Sequence, residues 1–304
     1  MDRREFLKTA AVAAAATALS AKLPAAKLLA EEETDAPSEV IAVRNGDPVT
    51  MFQKGIEQLG SMTRFVKPGN KVVVKPNIGW ARTVEEAANT NPELVAEIIR
   101  QCLACGASEV VVFDHSCNEQ EASYTTSGIA EAVEKAGGKI LGADRESNYR
   151  NANAPRAISM KKAKIHKAIL DADVFINVPI LKNHGGTKMT AAMKNFMGIV
   201  CDRQFMHKNN LPQAIADSIL YRKPDLNIVD AYRIMVSNGP RGVSTADVQE
   251  LKYQLLSTDI IAIDTVACKL MRYDFKSVPY IALGEAHGLG CADESKIKIT
   301  RLEC

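Results

Sequence analysis

Residues 71–75 read KVVVK, residues 92–105 read PELVAEIIRQCLAC and residues 109–113 read EVVVF. The outer runs are short, rich in β-branched residues and without period-two alternation, the pattern of strands buried on both faces. Between them Leu94, Val95, Ile98, Ile99, Cys102 and Cys105 recur on one helical stripe. Asn91 stands as a cap before it, Pro92 in its first turn and Gly106 at its end. Strand, helix and strand in that order require a parallel crossover. The strand signature recurs at residues 174–178 (VFINV), 226–229 (LNIV) and 260–263 (IIAI). Further helices are expected over residues 128–136, 189–199, 211–220 and 265–271. The expected fold is α/β, a mostly parallel sheet with helices on both faces, either one unit or two lobes, residues 40–150 and 151–304, around a cleft.

The N-terminus is of another kind. Arg3-Arg4 is followed by Phe6-Leu7-Lys8 and an Ala-rich apolar run over residues 10–21, the order of a twin-arginine export signal. That run is too short to stay in a bilayer as a span. Residues 1–30 are read as the signal, with cleavage open between residues 18–20 and 30, and residues 31–39 as a polar linker. The expected location is periplasmic or extracellular, and the expected partner in export is the twin-arginine translocase. The whole chain carries +2, and residues 1–30 hold five Lys/Arg against two Asp/Glu. The remainder is therefore near −1, without the basic excess that a nucleic-acid partner requires. No later stretch has the apolar length of a membrane span.

In open parallel sheets ligands gather beyond the carboxyl ends of the strands. There the sequence places Lys75 and Asn77, then Asp114 and His115, then Lys182, His184, Gly185, Gly186 and Lys188, and finally Asp230. Lys194 and Asn195 follow on the expected 189–199 helix. Glycines before a helix start leave backbone N–H groups open to an anion, and the lysines add charge. Asp114, His115 and His184 are the candidate catalytic groups; the others are candidate binders of a small anion or cofactor. Neither a Walker spacing nor a G-x-G-x-x-G run is present.

Seven cysteines are scattered along the chain. Cys102 and Cys105 share the apolar stripe and read as core residues before they read as a dithiol or zinc pair. A divalent metal on Asp114, His115 and His184 stays open. No tight cysteine run suits an iron–sulfur cluster, which is not expected from this chain alone.

Taken together, VVVKPN (72–77), TNPELVAEII (90–99), GASEVVVFDHS (106–116), ADVFINVPILKNHGG (172–186), MKNFMGIV (193–200), KPDLNIVDA (223–231), NGPRG (238–242) and GLG (288–290) resemble the family catalogued as domain of unknown function 362. The resemblance implies an α/β fold with these motifs at matching positions. Some members carry an added ferredoxin-like iron–sulfur module. The segment His184-Gly185-Gly186-Thr187-Lys188, with Gly198 downstream, is also similar to the Gly-Gly-x-Lys segment of lactate racemases, and that likeness implies Lys188 as a lysine holding a nickel pincer cofactor. The functional expectation is an exported protein with an anion- or cofactor-binding cleft, acting as an enzyme on a small anionic substrate. The alternative is a non-catalytic binding, metal-carrier or redox accessory protein.

Overall fold

Along strand β2 (Lys71–Pro76) Val72 and Val74 point to one face and Val73 to the other, and all three are buried. A strand so enclosed needs helices on both sides, and the computed structural model supplies them. It describes residues 38–304; the signal and linker readings on residues 1–37 lie outside the described residues. In chain order the other elements are β1 (Ser38–Arg44), α1 (Pro48–Gln58), α2 (Pro92–Ala104), β3 (Glu109–Val112), α3 (Gln120–Thr126), α4 (Ile129–Lys135), β4 (Lys139–Ile140), β5 (Tyr149–Asn153), β6 (Lys162–His166), α5 (Lys167–Asp171), β7 (Val174–Val178), β8 (Ile180–His184) and β9 (Lys188–Thr190). There follow α6 (Arg203–Lys208), α7 (Leu211–Ile219), β10 (Leu226–Met235), β11 (Val248–Ser257), α8 (Ile260–Leu270), α9 (Pro279–Ala286) and β12 (Ile297–Glu303).

The main sheet runs β12-β1-β11-β10-β7-β2-β3-β4, with β8 continuing the pairing along β10 and β9 folded back on β8. The pairs β10–β7, β7–β2, β2–β3, β3–β4, β10–β8 and β1–β12 are parallel; only β11 and β9 run against their neighbours. The fold is thus α/β with a mostly parallel sheet, and strands from residues 40–150 interleave with strands from 151–304. Phe52 of α1, Leu94 and Ile98 of α2, and Ile129 and Val133 of α4 pack on one face. Ile215 and Ile219 of α7, Ile261 and Val266 of α8, and Ile281 of α9 cover the other. Asn91 caps α2 by accepting from Glu93 N and Leu94 N, as its position before Pro92 predicts. Cys102 lies in the first of these cores, where burial pushes its thiol up to about 12; Cys105 sits half-buried at the helix end.

Two elements differ from the sequence expectation. The run IIAI, read as a strand, begins helix α8. Asp259 accepts from Ile261 N and Ala262 N at 2.8 and 2.9 Å and starts the helix, and every residue from Ile260 to Cys268 is buried. An apolar run enclosed on all sides has no period to distinguish strand from helix. The helix expected over 189–199 is instead β9, a turn, and a 3₁₀ segment, Lys194–Ile199. The turn is held from a distance. The buried Asp264 carboxylate accepts from Ala192 N at 2.7 Å and Met193 N at 3.0 Å, and takes the N–H groups that a helix start would leave open.

Candidate functional site

Beyond the carboxyl ends of β2 and β3 a chain of side-chain amides crosses the sheet. Asn227 Oδ1 accepts from Asn177 Nδ2 at 3.0 Å, Asn177 Oδ1 from Asn195 Nδ2 at 2.9 Å, and Asn195 Oδ1 from Asn77 Nδ2 at 3.1 Å. Asn77 Oδ1 in turn accepts from Lys182 Nζ at 3.0 Å, and Lys182 also donates to Ala88 O at 2.5 Å. Strands β10, β7, β2 and β8 and the 3₁₀ segment are thereby tied at one edge. A satisfied buried network of this kind fixes the geometry of what stands on it.

Beside the network lies a buried ion pair. Lys75 Nζ is 2.7 Å from Asp114 Oδ1, with side-chain exposures of 0% and 3%. Asp114 Oδ2 accepts from Ile78 N at 2.7 Å, and Tyr124 Oη accepts from Asp114 N at 2.5 Å. Burial pushes the Lys75 ammonium down from its ordinary value, and Asp114 opposes that. Gly198 presses on the pair: a Cβ there would overlap Asp114 Oδ1 and stand 2.6 Å from Lys75 Nζ. Both carboxylate oxygens are engaged, so Asp114 is better suited to holding Lys75 and the loop after β2 than to moving a proton.

Above this floor opens a cavity of about 260 Å³. Of the residues expected from sequence, Asn77, Asp114, His115, Lys182, His184, Lys194 and Asn195 line it. Lys75 lies beneath, against Asp114. Gly185, Gly186 and Lys188 are not brought to it: they are exposed in and beside the β8–β9 hairpin turn, not at a helix start. Asp230 is also elsewhere. It is buried under the start of α2, where it accepts from Asn91 N at 2.8 Å and Tyr232 N at 3.1 Å, and burial pushes its carboxyl up to about 6. Sequence reasoning missed Trp80, Cys117, Met197, Arg203, His207 and Pro240, all of which line the cavity. Only Met197 and Pro240 had a signal, in the MKNFMG and NGPRG segments.

The lining is cationic. Burial pushes Lys182 down to about 7 and Lys194 down to about 8. Lys194 is 8% exposed, and its ammonium meets only the Met197 thioether, at 2.8 Å. Arg203 Nη1 and Nη2 donate to His115 O at 2.8 Å and Ser116 O at 2.6 Å, which brings a guanidinium to the rim. Asp114, already paired, is the one carboxylate lining the cavity among the described residues.

Two of the three cavity histidines, His115 and His184, are neutral and of opposite polarity. His115 Nδ1 lies 3.0 Å from Val200 O, a carbonyl, so Nδ1 carries the proton and Nε2 a lone pair. His184 Nδ1 accepts from Gly186 N at 3.0 Å, so its proton is on Nε2. Burial lowers both, His184 to about 3, and nearby Arg203 and Lys194 act in the same direction on His115 and His184 respectively. One ring can take a proton, and the other offers an N–H that can hydrogen-bond negative charge.

The model of the family described as domain of unknown function, DUF362, matches residues 72–269. The chain belongs to this family. A twin-arginine translocation signal matches residues 1–20, so this family member is exported to the periplasm or beyond by the twin-arginine translocase. No helix among the described residues is long and apolar enough to cross a membrane. The "thylakoid-associated protein sll1697" of Synechocystis sp. is 27% identical over 256 residues, 77% of this chain and 73% of that protein. The lactate racemase apoprotein from Thermoanaerobacterium thermosaccharolyticum superposes with a TM-score of 0.49 at 12% identity, over 76% of this chain and 56% of that one. This chain thus spans little more than half of that structure's length. The residues do not fit the nickel pincer group of the racemase resemblance. Lys188, the lysine that the resemblance implies, is exposed and is not among the residues lining the cavity.

Proposed function

We propose that this exported family member performs acid–base chemistry on a small anion, a carboxylate or a phosphate, held in the cationic cavity. The supporting observation is Lys194. A buried ammonium without an anionic partner is costly, and a bound anion supplies that partner. Lys194 and Arg203 bind the anion in this reading, and Lys182, anchored on Asn77 and Ala88 O, adds positive potential behind it. His115 Nε2 removes a proton, and the neutral His184 Nε2–H hydrogen-bonds the negative charge that develops. Asp114, Lys75 and the amide chain hold the loops that carry these groups.

Trp80, the only tryptophan of the chain, lines the cavity and reports on its occupancy. Malonate and inorganic phosphate are expected to change its fluorescence saturably. Lys194→Gln is expected to weaken the response at least about tenfold, the size of a lost charge-assisted hydrogen bond. His115→Gln should bind as before. In D2O, carbon-bound hydrogen next to the carboxylate of a turned-over substrate should exchange for deuterium, by nuclear magnetic resonance, and His115→Gln should stop the exchange. Binding without exchange across a broad panel of small carboxylates would favour a non-catalytic anion-binding protein. A silent Trp80 with every anion, and no binding by calorimetry, would remove the reading altogether.

A further inference from the structure

Of the cysteines, Cys102 and Cys268 are buried with their thiols pushed up by burial, whereas Cys117 is exposed and lines the cationic cavity. It follows β3 by five residues, and its backbone N donates to Gly79 O at 2.8 Å, which pins it at the rim. Arg203 Nη1 donates to Cys117 Sγ at 3.3 Å, and the same guanidinium is fixed by His115 O and Ser116 O. Lys182 and Lys194 line the same cavity as this sulfur. The sulfur is thus open to solvent, against a guanidinium and on a cavity that two lysines also line, the electropositive and accessible setting of reactive cysteines. The independent sign that the cavity takes a ligand is again Lys194, 92% buried by its 8% exposure, with only the Met197 thioether as partner.

We propose that Cys117 is a covalent modification site, selective for small electrophiles that carry a negative charge, chiefly carboxylates with an electrophilic carbon. This rests on the anion reading of the cavity and adds a bond-forming group to it. The cations concentrate the anion beside the sulfur and hold its carboxylate. The sulfur, its proton given up to solvent, then attacks the electrophilic carbon. With iodoacetate the S–C bond forms as the C–I bond breaks, and iodide leaves with the electron pair.

Iodoacetate and its neutral counterpart iodoacetamide separate charge selection from ordinary thiol reactivity. The full-length exported protein would be alkylated with each, and modification of the Cys117 peptide followed by mass spectrometry. The ratio of the two rate constants is compared with that of a neutral thiol, N-acetylcysteine amide, in the same buffer. The iodoacetate preference at Cys117 should exceed that of the free thiol by about tenfold or more, the scale on which a focused field enriches a ligand. Malonate should suppress it, and Lys194→Gln should return it to the free-thiol ratio. A wild-type ratio equal to that of the free thiol, or one indifferent to malonate, overturns the proposal, and neither result needs the variant to fold. Malonate that alters Trp80 fluorescence while Cys117 shows no charge preference overturns this inference alone. Malonate without effect on either overturns the anion reading with it.

Discussion

Asp114→Asn is expected to lower folding stability by about 3–5 kcal/mol, as removal of one partner from a buried ion pair does. The Lys75 ammonium has 0% side-chain exposure, and Asp114 Oδ1 at 2.7 Å is its one anionic partner. Its other acceptor is Pro76 O at 3.1 Å, a neutral carbonyl. An asparagine keeps the shape but leaves the charge unpaired. It also loses one of the two acceptors with which the carboxylate meets both Lys75 and Ile78 N. Urea denaturation checks the figure. The diagnostic step is the double variant Lys75→Met/Asp114→Asn, which removes the stranded charge and should recover much of the loss, because the two sites are coupled. A single-variant loss under about 1 kcal/mol, the range of exposed ion pairs, would show that the pair is not enclosed as described.

Gly198→Ala is expected to be comparably severe, about 3 kcal/mol or more, from overpacking combined with displacement of a buried pair. A Cβ at this position would overlap Asp114 Oδ1 and crowd Lys75 Nζ at 2.6 Å and Cε at 2.8 Å. The Lys75 side chain is enclosed and cannot swing out to water, and Asp114 is held by Lys75 and Ile78 N. The substitution should also disturb the 3₁₀ segment that delivers Lys194 and Asn195, so anion binding at Trp80 should weaken with it. The origin of the effect is testable in an Asp114→Ala background, where the overlapped oxygen is gone. There the alanine should cost clearly less than in the wild type. Equal cost in both backgrounds would place the strain elsewhere.

The parts of the fold that were legible are those where burial leaves a local trace. Strands β2, β3 and β7 are short β-branched runs with α2 striped and capped between the first two, and they stand where the sequence puts them. Helix α8 was hidden because its apolar face is its whole surface, and the group that decides it is a single capping carboxylate, Asp259. The 189–199 segment was hidden because Asp264, more than seventy residues away in sequence, takes the backbone N–H groups of Ala192 and Met193. Strand β12 pairs with β1 across nearly the whole described chain, a partnership no local window contains.

The site divides in the same way. Lys75, Asn77, Asp114 and His115 follow strands directly, so the rule that loops gather at the carboxyl edge finds them. Lys182 and His184 arrive by a less direct route. After Pro179 the chain leaves β7 and continues as β8 along the far half of β10. The glycines and Lys188 looked like an anion cradle only because a helix was expected behind them. Arg203 carried no signal. It lies on a short helix and reaches the rim through a long side chain bonded to the carbonyls of His115 and Ser116.

The central claim, that buried cationic lysines bind an anion in this cavity, has a protonic signature. Lys182 and Lys194 are depressed to about 7 and about 8, against an unperturbed lysine near 10.4. Between the folded and unfolded values the unfolded chain binds more protons, so the ligand-free protein should gain stability as pH rises from about 7 toward 10. An anion favours the charged lysines and raises their values, so binding at pH 8 must draw protons from the buffer, and affinity must fall as pH rises further. The decisive measurement is calorimetric titration of malonate at pH 8 in two buffers of different ionisation enthalpy. The account predicts net proton uptake on binding, diminished in Lys194→Gln. Binding with no proton uptake, unchanged in that variant, would contradict it.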